Sequence, residues 1–190
     1  MNQKEIRHEL REMQKGAFHN NKLIPSNKID LSSTRLNLLY QELHQLVLFG
    51  FANPSIVMCG VFLETLLKEI LFSKGEYDYS NHMDFNSAIE KSKKYISKED
   101  YNTLHSIRKN LRNPYQHHNL KQLMGEVKTK GCKLNTKTGK LTSWGDVSSD
   151  DLRFLETAGK LKYDGETFIR LFTYAHYLGK KLSKQYFFKK

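Results

Sequence analysis

The sequence predicts an all-α fold, a bundle of helices carrying one small β-hairpin insertion. Three observations lead there. Only three prolines occur in 190 residues. Short alternating runs of apolar and polar residues, the mark of half-buried strands, are scarce. Over several long stretches the apolar residues instead recur at three- and four-residue steps, as on one face of a helix.

The elements follow in order. Residues 2–15 form a charged amphipathic pattern, and FHNNKLIPSN reads as the loop after it. Together they make an N-terminal segment of about residues 1–30, ahead of a helical domain over 31–190. Ile29 to Ser33 offer helix-start chemistry. Leu36, Leu39, Leu43, Leu46 and Val47 then trace a helical stripe that stops near Gly50. Asn53-Pro54 reads as a cap followed by proline at a first helical position. The apolar run behind it continues to about Phe72 and marks the most buried helix of the bundle. Asp84 starts a helix reaching about Ile96. Ser97, with Asp100 three residues on, caps another that runs through Tyr101, Leu104, Ile107 and Leu111.

At about 125–147 the composition turns to Gly, Lys and Thr, and the helical period is lost. Asn135 to Gly139 reads as a turn between two short strands, hence the hairpin insertion. Ser148 or Ser149 opens a further helix. The last spans about Gly165 to Tyr186, with Phe168, Leu171, Phe172, Ala175 and Leu178 on one face.

Composition narrows the function. There are 31 Lys+Arg against 20 Asp+Glu, a formal net charge of +11. Such a balance favours polyanions, although a basic protein without a polyanion partner has the same arithmetic. The two cysteines, Cys59 and Cys132, are not in metal-ligand spacing. A reducing, cytoplasmic setting without a disulfide is expected. The charged start MNQKEIRHELREMQK lacks the apolar core of a signal peptide. Residues 46–63 carry no charge, but Asn53-Pro54 divides them into halves too short to span a bilayer, so no membrane is expected. Phosphate loops, dinucleotide fingerprints, nucleophile elbows and zinc motifs are all missing, so no metal and no cofactor are expected.

One segment carries chemistry: S-I-R-K-N-L-R-N-P-Y-Q-H-H-N from Ser106. With Asn113 as a helix cap, Pro114 becomes the first helical residue. Arg112 and His117 then occupy the two positions whose side chains meet in a hydrophobic staple. This frame predicts that the two side chains face each other. The positive end of the helix dipole and the Arg112 charge both disfavour an imidazolium, so His117 is expected neutral and proton-accepting. Arg112 has the planar fork that grips a phosphate. A proton acceptor beside a phosphate clamp serves RNA cleavage by its own 2′-OH, with no metal required. An arginine and a histidine five positions apart are nonetheless a common accident.

The same segment resembles the HEPN superfamily, whose signature is an arginine, four to six residues, then a histidine, often with a polar residue after the arginine. Arg112-Asn113-Pro114-Tyr115-Gln116-His117 fits with four intervening residues, and His118 fits with five. Tyr101, Leu104, Ile107, Arg108, Arg112, Asn113 and His117 match the pattern ending the preceding helix in many members. C-G-V-F-L-E-T-L-L-K resembles their earlier Leu-Glu-x-x-Leu-Lys element. The likeness covers roughly residues 31–185, with about twenty specific residues. The proline inside the motif and the Lys-rich hairpin after it depart from common members.

The resemblance implies a bundle of four or five core helices, frequently a homodimer whose two Arg–His pairs form one composite site. Active relatives are metal-independent endoribonucleases of toxin–antitoxin, abortive-infection and CRISPR-linked defence systems, which implies an antitoxin or other regulatory protein as a further partner. Others are non-catalytic RNA-binding or protein-interaction modules.

Supporting residues each have two readings. Glu64, in a very apolar helix, either hydrogen-bonds Arg112 or His117 and orients the site, or reaches the bundle edge or pairs with a lysine. Arg108, one turn before Arg112, either extends a phosphate track or is solvated. Tyr115 either stacks a base or packs in the core. Lys121, Lys128, Lys130, Lys133, Lys137 and Lys140, with Trp144, form either a single-strand-binding element or a solvated loop.

Overall fold

The computed structural model describes residues 3–116, 129–134, 141–147 and 160–187. Its order is α1 (Gln3–Leu23), α2 (Thr34–Leu48), α3 (Ala52–Ser73), α4 (Phe85–Ser92), α5 (Lys98–Ile107), a π-helical turn (Arg108–Arg112), α6 (Asn113–Gln116), β1 (Thr129–Leu134), β2 (Leu141–Val147) and α7 (Lys160–Tyr186). The fold is mainly helical.

Local chemistry sets most boundaries. Ser33 is extended (φ −136°, ψ 122°) and its hydroxyl accepts from Leu36 N–H, starting α2. Gly50, just past the end of α2, sits at φ +77°, which side-chain-bearing residues rarely adopt. Asp84 caps α4 by accepting from Ser87 N–H at 2.8 Å. Ser97 caps α5, its hydroxyl oxygen accepting from Asp100 N–H at 3.1 Å.

Four boundaries differ from expectation, one of them the start of the last helix, at Lys160 rather than near Gly165. The first helix does not stop at residue 15 but runs to Leu23. Its reason is tertiary: the Asn20 amide donates to the Val47 and Leu48 carbonyls at the end of α2, at 3.2 and 3.1 Å. That contact holds FHNN, a sequence of middling propensity, in the helix. The third helix begins at Ala52, so Pro54 is its third residue, still in the first turn where a missing N–H costs nothing. The fourth ends at Ser92 rather than near Ile96, and Tyr95 N–H turns back to Ser92 O at 2.8 Å.

Helix α3 packs against α2, α4 and α7 and contributes Ile56, Cys59, Phe62, Leu63, Leu66, Leu67, Ile70 and Leu71 to the core, all fully buried. Cys59 is a free, buried thiol. Around α3 sits an aromatic centre. Tyr40 of α2 stacks on Phe172 of α7 with centroids 5.5 Å apart, and tilts against Phe62 at 5.9 Å. The Tyr40 hydroxyl hydrogen-bonds His176 Nδ1 at 2.7 Å and donates to the Ser26 carbonyl at 3.2 Å, so the buried polar end is satisfied.

Strands β1 and β2 pair antiparallel from Thr129↔Val147 to Leu134↔Leu141. Gly131 faces Gly145 and Cys132 faces Ser143, so Trp144 is the extra residue of a bulge. Residues 135–140 between them, and the helix expected from Ser148 or Ser149, lie outside the described residues. Among the described residues no helix is long and apolar enough to cross a membrane.

Candidate functional site

The region around Arg112 is built differently from the cap-and-restart frame. Asn113 is not an extended cap residue: its φ −65° and ψ −48° are helical, and its N–H donates to Arg108 O, five residues back. The helix therefore continues from Lys98 to Gln116 through a π turn. Pro114 supplies the reason. Inside a helix its ring crowds the carbonyl four residues earlier and it offers no N–H. A turn widened by one residue accommodates that defect. Asn113 as an extended cap, with Pro114 opening a new helix, is thus not the arrangement found. His117 and His118 themselves lie outside the described residues.

Arg112 is instead placed by α3 and α4. Its Nη2 donates to Glu64 Oε2 at 3.2 Å, and its Nη1 donates to Asn113 Oδ1 at 3.2 Å. Its guanidinium carbon is 6.0 Å from the centroid of the Phe85 ring. Its stem crosses α3 at Gly60. A Cβ built there would sit 3.1 Å from the Arg112 Cβ and closer still to its Cγ. The other Glu64 oxygen accepts from Lys68 Nζ at 2.7 Å. Side-chain exposures of 21% for Arg112, 15% for Glu64 and 16% for Lys68 put this triad in a partly desolvated setting, where a single cation's removal matters more than at a free surface.

Glu64 thus contacts Arg112 and also pairs with Lys68. Arg108 is partly buried, and its charge acts on Asp84 at the start of α4. Hydrogen bonds from Ser87 are the larger cause that holds the Asp84 carboxyl below the usual range. Among the described residues, Nε of Arg108 and Nε of Arg112 are both buried without a hydrogen-bond partner. Tyr115 is buried in the core at 9% exposure, which removes it as a stacking platform. Pro114 beside it is buried as well. Of the hairpin lysines, Lys130 and Lys133 lie on the β1 backbone, while Lys121, Lys128, Lys137 and Lys140 lie outside the described residues. Among the described residues no group of three or more His, Cys, Asp and Glu is placed to hold a metal.

Sequence reading missed Gly60, Lys68 and Phe85. A signal existed for two of them. Gly60, Glu64 and Lys68 fall at four-residue steps on α3, and a glycine inside a helix interior is costly enough to need a packing reason. Phe85 carried none, because its closeness to Arg112 arises from how α4 lies on the bundle.

A mainly helical chain with a partly buried Arg–Glu–Lys triad beside a π turn is what the geometry defines. Compared with protein-family models, curated proteins and solved structures, the chain matches none.

Proposed function

We propose that this chain is a metal-independent endoribonuclease of the HEPN type, working in the cytoplasm as part of a toxin–antitoxin or phage-defence system. Its substrate is RNA, its working form a homodimer, and its restraint an antitoxin or other regulatory protein. Arg112 grips the scissile phosphate and stabilises the charge of the phosphorane. His117 takes the proton of the 2′-OH, whose oxygen attacks phosphorus as the 5′-oxygen leaves. Glu64 and Asn113 orient Arg112, and the lysines of the 125–147 segment, led by Lys128, Lys130, Lys133, Lys137 and Lys140, follow the RNA backbone.

The observation that carries this reading is the fixing of one arginine head from two sides, by Glu64 and Asn113, in a chain of net charge +11. Each terminal guanidinium nitrogen has two hydrogens, so one on each remains for a phosphate after those contacts are made. Incubation with RNA in EDTA is the test. The expected products carry 2′,3′-cyclic phosphate, and Arg112→Ala and His117→Ala each abolish them while the variants still unfold in one cooperative transition. RNA left intact at every protein concentration, including those at which the chain is dimeric, sinks the proposal.

One observation favours a non-catalytic module instead. Both terminal nitrogens of Arg112 already have protein partners, as in an ordinary structural ion pair. That reading expects salt-sensitive RNA binding that survives His117→Ala.

A further inference from the structure

We infer that Gly60 is a positioning residue for Arg112: the side chain missing from α3 is the slot in which the arginine stem lies, and Glu64, one turn on, holds its head. The inference rests on the reading of Arg112 as a phosphate-gripping group and adds the residue that aims it.

Helix α3 is otherwise packed with large side chains. Ile56, Phe62, Leu63, Leu66 and Leu67 are all fully buried, and glycine is the least favourable non-proline choice inside a helix. Gly60 is itself buried. The three nearest atoms to a Cβ built there are Cγ, Cβ and Cδ of Arg112. The Arg112 Cβ is fixed by the backbone of the π turn, and Cγ can leave only by a change of χ1 rotamer, which redirects the whole side chain. A methyl at position 60 therefore displaces the whole arginine. Four residues later on the same face, Glu64 meets Nη2 at 3.2 Å. Base and head of Arg112 are thus both referenced to α3, with Asn113 holding the second terminal nitrogen from the arginine's own segment.

Two measurements on the full-length chain test this. The first is thermal melting of Gly60→Ala in the wild type and in Arg112→Ala. With the arginine truncated, the contacts with Cγ and Cδ are gone and only the 3.1 Å approach of the two Cβ atoms remains, so alanine's better helix propensity raises the melting temperature, by up to roughly 2–4 °C. With Arg112 present, the same change leaves it unchanged or lowers it. A rise, or a fall, of the same size in both backgrounds overturns the slot.

The second is binding of a single-stranded oligouridine RNA over a series of salt concentrations. Gly60→Ala and Arg112→Ala each reduce the slope of log affinity against log salt by about 0.7, one phosphate contact on a single strand. The double variant loses no more than either alone, and RNA cleavage falls with the slope. A purely packing role for Gly60 moves the melting temperature without moving the slope. Gly60→Ala with the full slope and full cleavage overturns the positioning role. If the wild type neither binds nor cuts the RNA, the functional reading and the aiming role built on it fall together, while the melting cycle still decides the slot itself.

Discussion

At the scale of single residues, Glu64 has the most to do. Its two oxygens serve two cations, Lys68 at 2.7 Å and Arg112 at 3.2 Å, in a setting only 15–21% exposed. Removing either cation leaves the carboxylate one partner. Removing the carboxylate leaves two cations side by side with neither neutralised. Glu64→Gln is therefore expected to destabilise the fold more than Arg112→Gln or Lys68→Gln does. A double-mutant cycle between Glu64 and Arg112, followed by urea unfolding, is expected to give a coupling of roughly 1–2 kcal/mol. A coupling of zero means that the two side chains do not hold each other in solution.

Elements are held by a few side chains placed at their ends. Asn20 is one, because its amide donates to the Leu48 carbonyl at the end of α2 and adds a second donor to that of Val47, which also accepts from Gly50 N–H at 3.1 Å. It also joins α1 to the bundle, along which Met13 and Phe18 stay exposed at 38% and 68%. Asn20→Ala is expected to lower the hydrogen-exchange protection of residues 16–23 markedly while that of α3 stays at the global level. Unchanged protection across α1 means that other contacts dock it. The π turn is the second such feature. Pro114 suited two incompatible readings, the first residue of a new helix and an interior residue of a continuing one. Both use the fixed φ of proline, but local chemistry alone favours the first, because an interior proline costs about 3 kcal/mol unless the turn widens around it.

Across the whole molecule the core is legible in its pH response. His44 is buried beside Phe172, with ring centroids 5.8 Å apart, and His176 is buried against Tyr40. Desolvation is the leading cause that lowers the pKa of both, and the charge of Lys180 adds to it at His176. Each histidine binds its proton less readily folded than unfolded. Their contribution to stability is thus complete above the unfolded value of about 6.5 and is lost as pH falls through the lower folded values. Melting temperature is expected to be level above pH 7 and to fall steadily between about pH 6.5 and 5. His176→Gln is expected to flatten that slope. A melting temperature that holds constant down to pH 5 refutes the effect.

What the sequence determined by itself is the helical fold, the places where Ser33, Asp84 and Ser97 begin helices, and the choice of α3 as the buried centre. These depend on periodicity and on side chains acting within three or four residues of themselves. It also singled out Arg112 and raised the contact with Glu64. Only the tertiary structure decided that α1 runs to Leu23, that Tyr115 turns inward, that Pro114 widens a helix instead of starting one, and that Arg112 lies in the gap at Gly60. Each of those outcomes turns on atoms far apart in the chain, such as Asn20 with Val47, or Gly60 with Arg112. Propensities that differ by about 1 kcal/mol per residue are too close to choose between such alternatives without the packing energy that folding adds.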